Sequence, residues 1–198
     1  MILNYKMAKK NLLAANIDGC QQFFEKNGNI LELAYTELLL DNVDKAEKLF
    51  LSIIDKDIRA HWGLVLIAFI KGIVNDFYPS YFEIRNFLEI DLNILINYYK
   101  GDYVEKIIRY SDFMFTINPE VYKFVGRVFW NTDLKEQAEF FFYRAKSYFY
   151  HDPELHFLLA EMYLQKKDNC MAIASLNDCL QVLPNYFPAV DLLKKLTK

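Results

Sequence analysis

Two stretches of the chain align without a gap at a fixed offset of 34 residues, and nothing else in the sequence restricts the fold as strongly. Pro119-Glu-Val-Tyr122, followed by Val125-Gly126 and Phe129, recurs as Pro153-Glu-Leu-His156, followed by Leu159-Ala160 and Tyr163. Further on, Ala138, Phe142 and Ala145 match Ala172, Leu176 and Cys179. In each stretch the leading set falls at i, i+3, i+4 and i+7, which is one face of an α-helix and not the alternation of a strand. Asn131-Thr-Asp133 and Lys167-Asp168-Asn169 are polar breaks, so each period holds two helices. A pair that short cannot bury its apolar face alone and must stack on neighbours.

The register extends upstream. Leu88, Leu92 and Leu95, then Lys100-Gly101-Asp102, then Val104, Ile108 and Ser111 form a third copy, with Asp91 where Val125 and Leu159 stand and Val104 in place of the small Ala. Ile30, Leu33 and Ala34, then Asp41-Asn42, then Ala46 and Phe50 make a fourth, shortened one. Between them, the segment from Ala60 to Gly72 opens a divergent pair whose second helix is expected through Tyr81 and Ile84, with Pro79 in its first turn. Phe187 to Leu196 reads as a single helix covering the last pair. Residues 1–26 read as two short helices broken at Asn16 to Gly19, with Asp18 as an N-cap. The resulting division is 1–26, 27–57, 58–84, 85–118, 119–152, 153–186 and 187–198, all within one domain.

The order large, aliphatic, small, aromatic, then Ala-x-x-x-large, at this period, resembles the tetratricopeptide family. That resemblance implies an all-α, right-handed superhelical solenoid of antiparallel helix pairs with N-terminal helices and a C-terminal capping helix. It also implies a non-catalytic adaptor or scaffold whose first helices line a concave groove for a protein partner, either an extended peptide or a helix, in a chaperone-like manner. Family members that clamp a terminal carboxylate carry Lys-x-x-x-Asn on a first helix. This chain has Glu89 and Asn93 in the best comparable place, and Leu31 and Tyr35 in the earlier copy, so that clamp is not expected. The small secretion chaperones of the family are similar in size, a likeness of architecture only.

A second stripe on each first helix, apart from its packing stripe, supplies the candidate binding residues. It holds Lys123, Arg127, Trp130 and Asn131 in one copy, Phe157, Glu161 and Gln165 in the next, and Asn93 and Asn97 in the third. Lys123, Arg127 and Trp130 are the expected centre, where a guanidinium grips a carboxylate beside an apolar ring. The bland alternative is a solvated face with Lys123 paired to Glu120.

Composition narrows the function. A formal charge of -3 and a pI near 5.7 argue against nucleic acid, which needs a concentrated basic face. No glycine-rich phosphate loop occurs, and His61, His151 and His156 with the three cysteines carry no metal-ligand spacing. No cofactor, metal or catalytic set is therefore expected. Cys20, Cys170 and Cys179 give an odd count without a C-x-x-C pair, which suits a reducing, cytoplasmic setting. Met1 to Lys10 does not read as a signal peptide, and the apolar run Leu64 to Ile70 is far short of the ~18 residues of a membrane span. Self-assembly is the alternative function, through an aromatic surface of Trp62, Phe77, Tyr78 and Tyr81.

Overall fold

A computed structural model describes residues 4–197, and these form thirteen α-helices and no strand. The chain divides into two compact units, Met1–Asn118 and Pro119–Lys198. The first carries α1 (Tyr5–Leu13), α2 (Cys20–Asn27), α3 (Ile30–Leu39), α4 (Val43–Leu51), α5 (Ile58–Lys71), α6 (Tyr81–Asn97), α7 (Gly101–Arg109) and α8 (Ser111–Ile117). The second carries α9 (Val121–Asn131), α10 (Lys135–Tyr148), α11 (Pro153–Gln165), α12 (Asn169–Val182) and α13 (Phe187–Leu196).

The 34-residue period is written into the backbone. Tyr99, Asp133 and Lys167, spaced by one period, all adopt left-handed φ values, of 57°, 65° and 62°. At each of these turns the next amide reaches back five residues, Lys100 to Leu95, Leu134 to Phe129 and Asp168 to Tyr163. These are Schellman closures that satisfy the last carbonyls of the first helix and reverse the chain into the second. Asp41, at φ 65°, and the Asn42 to Glu37 bond repeat the device between α3 and α4. The third copy therefore keeps the turn of its siblings.

Packing follows the small residues. Ala138, Ala172 and Leu159 are fully buried, and Phe129 and Tyr163 are 7% and 8% exposed. A Cβ added to Gly126 would lie 2.6 Å from the Phe142 ring, so α9 and α10 approach closely only because nothing projects there. Gly63 on α5 does the same for Phe50 of α4, at 2.5 Å. In the third copy Leu92 and Val104 occupy the two small positions, and the second helix breaks at Tyr110 into α7 and α8. Ile107 takes the fully buried place there, and Ile108 is only half-buried.

The divergent segment differs from the sequence expectation. Tyr81 to Ile84 is not a separate second helix; it is the start of α6, a single helix of 17 residues that runs on into the third copy. Ser80 caps it, accepting from the Glu83 amide, while Glu83 accepts from the Ser80 amide, so Pro79 lies before the helix and not in its first turn. Asp18 likewise does not cap α2. Gly19, in the left-handed region, takes that place without a side-chain hydrogen bond. α5 is buried from Trp62 through Ile70, which explains its apolar run as the central helix of its unit. No described helix is long and apolar enough to cross a membrane.

Candidate functional site

The residues of the predicted stripe fall into three situations. Asn93 and Asn97 are exposed on α6, in the first unit. The others belong to α9 and α11, where ion pairs draw the two first helices together.

Lys123 is not an open groove cation. It is 5% exposed, with Nζ 2.5 Å from Asp152, 3.0 Å from Glu120 and 3.2 Å from Glu154. Asp152 is the N-cap of α11, accepting from the amides of Glu154 and Leu155, so one carboxylate both starts that helix and ties it to α9. Burial alone would pull the Lys123 ammonium down, but the hydrogen bond and charge of Asp152, reinforced by Glu120, outweigh it and hold the ammonium above its usual value. Arg127 is half-buried and pairs with Glu154, with its guanidinium 5.8 Å from the Phe124 ring centroid. Periodicity alone misplaced these two cations because their partners lie 27 and 29 residues away in the next period.

Phe157 is also committed. It packs against a core of Ala160, Leu176, Cys179 and Ala189, and its ring lies 5.7 Å from that of Tyr186. Burial pushes the Cys179 thiol up to about 11, so it stays protonated and serves as a small packing residue. His156 is fully buried, its Nε2 2.6 Å from the Tyr150 carbonyl. Among the described residues no group of His, Cys, Asp and Glu could hold a metal.

What remains open is a smaller cluster. The half-buried Trp130 carries the Lys135 ammonium 3.8 Å from its ring centroid, and Lys135 also donates to the Trp130 carbonyl at 2.6 Å. Glu161 is half-buried and has neither a hydrogen bond nor an ion pair among the described residues. Burial pushes its carboxyl up, with Lys135 opposing through space. Asn131 and Gln165 are exposed at the ends of their helices. Lys135 and Tyr186 were outside the predicted stripe: both flank the helix pairs, where no periodic signal marks them.

Sequence reasoning also passed over a buried polar network in the first unit. Asp91 accepts from Trp62 Nε1 at 2.6 Å, from the Tyr35 hydroxyl at 3.0 Å and from Arg59 at 2.8 Å, joining α3, α5 and α6. Its signal was visible: a carboxylate at a register position that is apolar in both siblings needs buried donors. Trp62 is fully buried in this network and cannot belong to an exposed aromatic surface, and Phe77 is half-buried, its ring edge-on to His61.

No family model matches the chain, and no curated protein matches it. Among solved structures, one described as the crystal structure of the APC/C hetero-tetramer Cut9-Hcn1 is similar over 97% of this chain at 17% identity, with a TM-score of 0.42. The match covers 35% of that chain, so the present sequence spans about a third of its length.

Proposed function

We propose that this chain is a non-catalytic protein-interaction scaffold, and that the α9–α11 face, around Glu161, Trp130, Asn131 and Gln165, holds a partner segment presenting a basic side chain. Glu161 carries the proposal. A carboxylate that burial disfavours, offset only through space by Lys135 and by no hydrogen bond or ion pair, gains from an incoming Lys or Arg, which would meet it in a partly desolvated setting. Trp130 adjoins through Lys135, and its ring with the exposed amides of Asn131 and Gln165 suits side chains and backbone of an extended segment. Lys123 and Arg127 contribute by positioning α11 against α9, not by gripping an acidic ligand.

The test is a peptide array probed with purified protein. Wild type is expected to select Lys- or Arg-containing peptides, and Glu161→Gln to weaken them about tenfold at unchanged helical content. Equal binding by the variant would move the site off this face. Self-assembly remains a second proposal on different residues: Tyr78, in the segment before α6, and Phe82, in its first turn, expose 54% and 65% of their surface. Light scattering across a concentration series would show a mass increase in wild type that Phe82→Glu removes; a constant monomer mass rejects it.

A further inference from the structure

We infer that Lys135 is a built-in latch on the α9–α11 face: its ammonium covers the Trp130 ring in the free chain and is displaced when a partner's basic side chain arrives. The latch rests on the function proposed above and adds how that face is closed and opened.

Trp130, near the end of α9, has the fully buried Phe142 ring 6.3 Å away on its core side. The Lys135 ammonium lies 3.8 Å from the Trp130 ring centroid, which is direct contact with the ring face. A ligand side chain can stack on that face only after Lys135 moves. The turn puts the lysine there: Lys135 opens α10, and the bond from the Leu134 amide to the Phe129 carbonyl folds the chain back over the end of α9. The repeat itself does not need this contact. One period on, the two positions hold Leu164 and Asn169, and one period back they hold Ile96 and Gly101, so the pairing of ring and cation belongs to this copy of the three.

The latch is made of contacts that a partner can replace. Lys135 Nζ donates to the Trp130 carbonyl at 2.6 Å and lies 3.6 Å from Asp133, whose side chain is 89% exposed, while the lysine keeps 32% of its own side chain in solvent. Ion pairs and cation–π contacts that open to water contribute little. Glu161 supplies the drive. Lys135 opposes its raised carboxyl through space but forms no ion pair with it, so a partner ammonium or guanidinium at Glu161 makes the contact that Lys135 does not. Two cations beside one carboxylate repel, so the arriving one favours release of Lys135 and frees the ring for the apolar residue next to it.

The probe is a fluorescein-labelled, end-blocked peptide, Gly-Ser-Leu-Lys-Leu-Ser-Gly, titrated by anisotropy against the full chain, with norleucine in place of the lysine as the control. With the latch closed in about nine-tenths of molecules, Lys135→Met should bind the lysine peptide about tenfold tighter than wild type. Lys135→Arg, whose guanidinium also lies on a ring face, should match wild type. Lys135→Met loses the contact to the Trp130 carbonyl, so its melting temperature should not rise; a residue that only propped the turn would lower stability and binding together. Glu161→Gln should weaken the lysine peptide about tenfold in either background. Binding by Lys135→Met no tighter than wild type overturns the latch, and a loss in Glu161→Gln then leaves the proposed face standing. If neither wild type nor Lys135→Met prefers the lysine peptide to the norleucine one, the face is rejected and the latch with it.

Discussion

Gly126 shows how much a single hydrogen atom decides. Any side chain there meets the Phe142 ring, itself fully buried between helices. Gly126→Ala is therefore expected to destabilise by about 1–3 kcal/mol through overpacking, read as a lower midpoint in urea at unchanged slope. Tyr99 presents the opposite case. It holds a left-handed φ of 57° with its side chain 95% exposed, so it bears the backbone cost and packs against nothing. Tyr99→Gly should stabilise by about 1 kcal/mol in the same measurement. Glu161 supplies a pH-dependent prediction. Its carboxyl is pushed up on folding, so its contribution is fully present below the unfolded carboxylate value and is lost as pH rises through the folded one. Glu161→Gln should accordingly melt higher than wild type at pH 7, by about 2 °C, with the gap closing toward pH 4.

Among elements, the tie between α9 and α11 runs through two cations, Lys123 and Arg127, of which only Lys123 is buried. Lys123 pairs with Asp152, Glu120 and Glu154, and it and Asp152 are both buried. Lys123→Met should cost about 3 kcal/mol because it leaves the buried Asp152 carboxylate without its cation, and pairing it with Asp152→Asn should recover part of the loss. Chemical denaturation of the two single variants and the double gives the coupling directly. The same logic explains why α6 became one long helix. With Ser80 and Glu83 forming a capping box, and no glycine or proline between Tyr81 and Asn97, nothing stops the helix before Tyr98. Spacing alone had divided that stretch between two repeats.

For the molecule as a whole, each unit contains complete helix pairs, and stability in such arrays comes from each helix and its neighbours. In the second unit α13 covers Ala160, Leu176, Cys179 and Ala189, closing the last pair against solvent. Residues 119–198 expressed alone should therefore give a helical circular-dichroism spectrum and a cooperative melt. A non-cooperative, gradual loss of signal would show that this unit needs the preceding helices.

The helical period, the place of each reversal and the small residues at helix crossings follow from the amino-acid order, because they depend on neighbours within one turn or one repeat. Ala138, Ala172, Phe129 and Tyr163 are buried for that reason. The binding face could not be read the same way. Whether Lys123 meets solvent or Asp152, and whether Asp91 finds Trp62, Tyr35 and Arg59, depends on side chains 29 to 56 residues apart. Periodicity reports which side of a helix a residue occupies; only the packed helices decide which charges on that side are already answered.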